Sequence, residues 1–419
     1  MKRIFTLLTC LTPFTFYAQD LVLVTFSNSY KEMAFYKLTE ENAVNVANTS
    51  WDMAFTAFGT ADAGIHLNEA AELNGNELQL FLAPTNNFDN PVNPANLGDR
   101  LYNDEISWNY GAFNANRLEV EPDDFGWGIY DPGTGKIEGT TVYVLKFRNG
   151  TYKKLQIVSL DQNVYTLKHA DLDGANETTL TIDKADYADG KFAFLSLSTG
   201  QTLSTVPDEW DLLFTRYAVS FDDGMGGLIY MVTSGTLSGL GVEVAQADGV
   251  DPATVEFTDF QDSLSTVLDV IGWDWKTFNL SSGGWSLPDD RAYFVKTANG
   301  DVWKIVFQSF GGSSTGNAIF EKTLVGNVSA VENSPVFTTL DVFPNPSSNG
   351  ASVTFSMKNA GVVKLSLVNL LGQVVWTGKT QATAGFNAVE LNGLNVPPGA
   401  YFLKLQANGA TATVKLSRA

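Results

Sequence analysis

WDMAFTAF at Trp51–Phe58 and WDLLFTRY at Trp210–Tyr217 decide how this chain is read. In each, large apolar residues fall on every second position: Trp51, Met53 and Phe55 in the first, Trp210, Leu212 and Phe214 in the second. That period belongs to a β-strand. Each copy keeps an aspartate directly after the tryptophan, Asp52 and Asp211. Aspartate is depleted in strands, so a fixed hydrogen-bond partner is the expected reason for both.

The two stretches are copies of one unit, 159 positions apart. The same shift lays Met33-Ala34-Phe35 on Phe192-Ala193-Phe194. Further on, Val142–Leu160 aligns without a gap on Ala292–Phe310, at a shift of 150. Each of these reads as a β-hairpin turning at Asn149-Gly150 or Asn299-Gly300, the preferred two-residue hairpin turn. A repeat of about 150 residues is a domain-sized unit and not a short solenoid repeat.

The chain has 419 residues and a net charge of −20, with a single cysteine, Cys10. Its start, MKRIFTLLTCLTPFTFYAQD, reads as a secretory signal peptide with cleavage expected after Ala18. Cys10 leaves with it, so neither a disulfide nor thiol chemistry is expected in the exported chain. No other apolar run is long enough for a transmembrane segment. Charge is uneven. From Pro335 onward there are six basic and two acidic residues, while the part between leader and tail holds 18 basic and 44 acidic. So acidic a body speaks against nucleic acid and anionic membrane surfaces as partners. The charge break marks a domain boundary.

The expected organisation is all-β: a signal peptide at 1–19, antiparallel β domains at 20–174 and 175–327, a linker at 328–335, and a small C-terminal β-sandwich at 336–419. Tail strands are expected at Val353–Met357, Val362–Val368, Val374–Gly378, Tyr401–Gln406 and Thr413–Leu416, and a short helix at Asp262–Ile271.

The tail carries Val342-Phe343-Pro344-Asn345-Pro346, Asn369-Leu370-Leu371-Gly372-Gln373, Leu391-Asn392-Gly393-Leu394 and Pro398-Gly399-Ala400-Tyr401-Phe402-Leu403-Lys404. In this order the four motifs resemble the C-terminal sorting domain of the type IX (Por) secretion system. The resemblance implies export through that machinery, with release or anchoring at the outer-membrane surface. Such a tail is an address without chemistry of its own. The two repeats, through Phe35, Trp51–Phe55 and Tyr143–Lys146 and through Leu180–Asp183, Phe194–Leu197, Trp210-Asp211 and Phe294–Lys296, are similar to the HmuY-like haemophore family. That resemblance implies haem captured between protruding strands and loops for iron acquisition.

Haem iron takes axial ligands from His, Met, Cys or Tyr. The chain has two histidines, His66 and His169. The 159 shift lays His66 on Met225, which makes this pair the candidate haem ligands, with His169 as a further one. His169 is expected on a strand surface and Met231 in the core. The stretches GWGIYDPGTG and GWDWKTFNLSSGG after the Gly-Trp pairs hold neither His nor Met. Trp127 and Trp273 are expected in the core, and Trp275 and Trp285 are the candidates for stacking on a sugar or porphyrin. Asp171-Leu172-Asp173-Gly174 reads as an Asx turn rather than a calcium loop. Gly312–Gly316 fits the spacing of a nucleophile elbow but lacks the histidine base and the strand-to-helix context. The expectation is a non-enzymatic surface protein that binds haem or porphyrin. The alternative is an adhesion or glycan-binding module that has lost haem ligation.

Overall fold

The computed structural model describes residues 20–327, except 60, 61, 188–190 and 282, and residues 337–418, except 344, 346, 348, 349, 370–373, 393, 395, 408 and 409. The leader with Cys10, the linker at 328–335, Pro344, Pro346, the Leu370–Gln373 part of the second tail motif, and the Asn408-Gly409 turn lie outside the described residues. The fold is all-β, in two compact units: a body that ends at Val325 and leaves out Asn299–Asp301, and a second unit of those three residues with the tail from Gly326.

The first repeat contributes β1 (Asp20–Thr25), β2 (Glu32–Tyr36), β3 (Val44–Ala47), β4 (Met53–Thr56), β5 (Ile65–Leu67) and β6 (Gln79–Leu82). It continues with β7 (Arg100–Leu101), β8 (Gly128–Asp131), β9 (Lys136–Gly139), β10 (Tyr143–Lys146), β11 (Tyr152–Asp161) and β12 (Val164–Ala170). The second repeat contributes β13 (Thr178–Asp183), β14 (Phe192–Ser196), β15 (Gln201–Thr202), β16 (Leu212–Asp222), β17 (Leu228–Ser238) and β18 (Glu243–Asp248). Then follow β19 (Thr277–Asn279), β20 (Gly284–Ser286), β21 (Arg291–Lys296), β22 (Asp301–Phe310) and β23 (Asn317–Asn327).

The repeats exchange their leading strands. One large sheet runs β13-β12-β11-β10-β6-β7 and its counterpart runs β1-β23-β22-β21-β18. Two smaller sheets run β15-β14-β4-β5 and β3-β2-β16-β17. In every case the leading strands of one repeat lie in the sheet of the other. The register repeats as well. Met53 faces Leu195, Ala54 faces Phe194 and Phe55 faces Ala193, while Leu212 faces Tyr36, Leu213 faces Phe35 and Phe214 faces Ala34. A shift of 159 carries each pair onto its counterpart. The boundary expected at 174/175 therefore divides the sequence repeat, while the strands of both lobes cross it.

The connection between the repeats accounts for the exchange. Only seven residues, Asp171–Glu177, separate β12 from β13, and β13 folds straight back onto β12. Asp171 closes the turn. Its backbone N–H donates to the Ala175 carbonyl, and its carboxylate accepts from Lys153 Nζ and Asn176 Nδ2, both at 2.6 Å. Asp173 accepts from the Ala175 N–H at 2.9 Å, as an Asx turn does. A turn this tight holds β13 against its own repeat's last strand. The sheet edge of β23 is then left to β1.

The strand period sorts the core. Met53 and Phe55 join Trp127, Tyr143 and Tyr165 of the first lobe, with Ile182 and Leu195 supplied by the second repeat. Leu212 and Phe214 join Trp275, Tyr293 and Phe320 of the second lobe, with Val24, Phe26 and Tyr36 supplied by the first. The opposite faces of the same strands meet in a central layer holding Phe35, Ala54, Phe194 and Leu213; Trp51 and Trp210, expected on the faces of Met53 and Leu212, stand just before those strands and pack in this layer instead. The aspartates serve the exchange. Asp52 Oδ2 accepts from the Leu197 N–H at 2.9 Å, and Asp211 Oδ2 accepts from the Leu38 N–H at 2.8 Å.

Two local expectations change. The hairpins β10–β11 and β21–β22 form at the expected Asn-Gly pairs, but only Gly150 and Gly300 have positive φ, so the turns are not the two-residue type that needs positive φ at both positions. In the first, Phe147 and Thr151 close a three-residue loop ending on Gly150. The helix expected at Asp262–Ile271 is a single 3-10 turn, Gln261–Ser263, because Ser265 pairs with Val244 in both directions.

The tail is a sandwich of seven strands: β24 (Phe337–Phe343), β25 (Gly350–Met357), β26 (Gly361–Asn369), β27 (Val374–Ala382), β28 (Gly385–Asn392), β29 (Gly399–Ala407) and β30 (Ala410–Arg418). Its sheets run β24-β25-β28 and β27-β26-β29-β30. Five strands lie where alternation places them; β24 and β28 are additional. Asn345 of the first tail motif ties the chain to β30, donating to the Lys415 carbonyl and accepting from the Ser417 N–H, both at 2.8 Å.

Candidate functional site

The structure separates the expected haem ligands. His66 sits in β5 opposite Ala54 and is 3% exposed. Its Nε2 lies 2.9 Å from the Trp108 carbonyl, and its ring packs edge-on against Trp108 and Phe192. Met225 is 89% exposed in the Asp223–Gly227 tip of the β16–β17 hairpin. The position equivalent to His66 is Leu237, which faces Leu213 as His66 faces Ala54. The second hairpin is longer by twelve residues, so the ungapped shift runs onto its tip. His169 lies on β12 between Leu155 and Thr178 and is buried, not on the surface as expected. Burial, then the nearby Lys153, hold its imidazole below the ordinary value. It shares no cavity with His66.

The tryptophan expectations divide similarly. Trp127 is fully buried, and Trp273 is half-buried against Phe221. Trp275 is 1% exposed and stacks on Phe307 with ring centroids 4.0 Å apart, so it is a core residue and not a stacking platform. Trp285 is half-buried with its edge against Phe310. Met231, expected in the core, is exposed on the long hairpin. Gly312–Thr315, expected to be a loop without strand-to-helix context, is one helical turn directly after β22, in which Ser314 Oγ donates to the Gly311 carbonyl. Among the described residues, no three His, Cys, Asp or Glu side chains are placed to hold a metal ion, and no helix is long and apolar enough to cross a membrane.

His66 and Glu69 line a central cavity together with Trp51, Trp108, Phe192 and Tyr217. Its volume is about 60 Å³. That admits a few water-sized molecules, far below the ~300–1,000 Å³ typical of ligand pockets. Glu69 spans the two repeats: its carboxylate accepts from the Asn103 N–H at 2.9 Å and from the Ala218 N–H at 3.2 Å. Burial outweighs these bonds and pushes its carboxyl up to about 7, while burial pushes the His66 imidazole down to about 4.

These shifts give opposite pH dependences. Glu69 contributes stability fully below its ordinary 4.5, and that contribution is lost as pH rises through 7. His66 contributes stability above its ordinary 6.5, lost as pH falls through 4. The two offset each other in the native chain. Relative to it, His66→Leu should lose roughly 2–4 kcal/mol between pH 4.5 and 7, whereas Glu69→Gln should gain stability over that interval. Urea denaturation at stepped pH measures both.

Larger concavities lie elsewhere, one of about 490 Å³ beside Phe125, Tyr130 and Asn163 and one between the repeats. A groove of about 500 Å³ opens between the β5–β6 loop and the β16–β17 hairpin, lined by Glu72, Asn74, Asn76, Glu77, Gln79, Lys146, Phe147, Arg216, Met231 and Val232. Arg216 fixes its floor, with Nη1 donating to the Ala71 and Glu72 carbonyls and Nη2 to the Val232 carbonyl. Glu77 is held by Arg100 at 2.7 Å. Arg100 also lies 4.6 Å over Tyr102, which stacks face to face on Tyr230 at 3.8 Å. The groove exists because the second repeat's hairpin is extended: Met231 and Val232 lie on the added length. The sequence signal was the amide- and carboxylate-rich run Glu72–Gln79.

Residues 341–417 match the family described as the secretion system C-terminal sorting domain. The chain is therefore a secreted protein with a type IX sorting tail, released, at the cell surface or anchored at the outer membrane. No curated protein matches it. Among solved structures, the chain is similar to dimeric latent PorU from Porphyromonas gingivalis at 12% identity, covering 68% of this chain and 31% of that one, with a TM-score of 0.18. It is also similar to E. coli alpha-2-macroglobulin at 9% identity, covering 96% of this chain and 29% of that one, with a TM-score of 0.17. The chain thus spans under a third of the length of either.

Proposed function

We propose that the body is a non-enzymatic, surface-displayed binding module for a polar, many-hydroxyl ligand of the glycan class, held in the Glu72–Gln79 groove. The observation that carries this reading is the contrast between two concavities. The groove offers about 500 Å³ lined by amides, carboxylates and cations, while the histidine cavity offers about 60 Å³. Planar amide and carboxylate side chains at fixed positions suit paired sugar hydroxyls. The haem reading that the haemophore resemblance implies is left with Met225, the one candidate ligand that reaches solvent.

Glycan-array binding followed by calorimetry, paired with a haemin titration, tests the proposal. The expected result is saturable glycan binding, weakened about tenfold in Asn76→Ala or Gln79→Ala, each of which removes a groove hydrogen-bonding group. Haemin should give the same spectrum with the native chain, His66→Leu and Met225→Ala. A saturable Soret shift abolished by Met225→Ala would overturn the glycan reading in favour of haem capture.

A further inference from the structure

We propose that the groove selects an anionic saccharide, a sugar bearing a carboxylate, with Lys146 as the residue that reads its charge. This rests on the glycan reading above. The argument comes from comparing the two lobes at one position. Lys146 on β10 lies opposite Gln79 on β6. Lys296 on β21, its equivalent under the 150 shift, lies opposite Glu243 on β18. In the second lobe the pair closes, with Lys296 Nζ 3.2 Å from Glu243 Oε2. In the first lobe glutamine stands where the carboxylate would be, and among the described residues Lys146 has no carboxylate partner.

The surrounding charges favour an anion. Glu77, one of the two carboxylates of the wall, is paired with Arg100 at 2.7 Å. Arg216 spends its donors on three carbonyls and keeps its charge without a carboxylate partner. Glu72 is exposed, where water screens it. Two uncompensated cations therefore meet one screened carboxylate, on a chain whose net charge is −20. A many-hydroxyl ligand with a carboxylate would meet the amides through its hydroxyls and Lys146 through a charge-assisted hydrogen bond.

The test titrates the full chain with oligogalacturonate and with a neutral galactose oligomer of the same length, at two salt concentrations. Native chain should bind the acidic oligomer about tenfold more tightly, with a preference that shrinks at high salt. Lys146→Met should remove the preference, bringing the ratio of the two affinities to about one. Gln79→Glu should also remove the preference, by rebuilding the second lobe's ion pair, with weaker binding of both oligomers because the amide is lost, and it keeps the lysine in place should Lys146→Met fold poorly. Equal affinity for both oligomers in the native chain, or a preference unaffected by both variants, overturns the charge assignment while the glycan reading stands. Binding to neither oligomer, nor to any glycan on an array, overturns both.

Discussion

Asp52→Ala should lower the unfolding free energy by about 3–5 kcal/mol, and Asp211→Ala by about 1–3 kcal/mol. Both carboxylates accept a backbone N–H from the opposite repeat, Leu197 for Asp52 and Leu38 for Asp211. Removing either leaves a buried donor unpaired. The difference between them comes from Arg148, whose Nη1 lies 3.5 Å from Asp52 Oδ1 with little exposure on either side. Arg148 Nη2 also donates to the Asn48 carbonyl at 2.9 Å, so it cannot swing out freely. Without Asp52 its charge stays buried and uncompensated. The repeat places Ala298 where the first lobe has Arg148, so Asp211 carries no such burden. Urea denaturation of the two variants measures the gap. Equal losses would mean that the ion pair contributes nothing.

Trp275→Ala should cost about 3–5 kcal/mol, the range for removing a fully buried large aromatic ring. Its indole stacks on Phe307, meets Phe310 edge-on at 5.3 Å and covers Lys276, whose Nζ lies 4.4 Å over the ring. Lys276 donates to the Ser234 and Trp273 carbonyls, and burial pushes its ammonium down to about 7. Trp285→Ala should cost clearly less, since that ring is only half-buried. Chemical denaturation gives both values; a Trp275→Ala loss under ~1 kcal/mol would contradict the packing described for the second lobe.

The strands were legible because each repeat writes its apolar period into Met53–Phe55 and Leu212–Phe214, although Trp51 and Trp210, of the same period, lie before the strands and pack in the central layer. The aspartates were legible as structural because an acid kept in two strands needs a partner. Which repeat supplies that partner was not legible. Leu38 and Leu197 are equivalent under the repeat shift, so alternation alone fits a strand staying at home as well as one crossing over. The seven-residue Asp171–Glu177 turn held that information, but a turn signal names no destination. The candidate site failed for a related reason. An ungapped shift cannot register a lengthened hairpin, so His66 was matched to a loop tip instead of Leu237. Trp275 was misread because it does not recur in both repeats as Trp127 and Trp273 do, although it is buried and stacks on Phe307.

Strand exchange between the repeats is the claim on which the cores, the aspartates and the groove depend, and disulfide trapping tests it directly. Leu21 on β1 faces Glu321 on β23, within the Cα separation a disulfide spans. If the lobes were instead formed in tandem, β1 would take the place of β13 on β12; matching its inward Val22 and Val24 to the inward Leu180 and Ile182, one residue off the 159 shift, puts Leu21 opposite Lys168, which in this fold faces Thr179. Residues 20–327 contain no cysteine, so each engineered pair is read without interference. Under mild oxidation, Leu21→Cys with Glu321→Cys should form an intrachain disulfide in near-full yield, and Leu21→Cys with Lys168→Cys should form none. The reverse pattern would contradict the exchange.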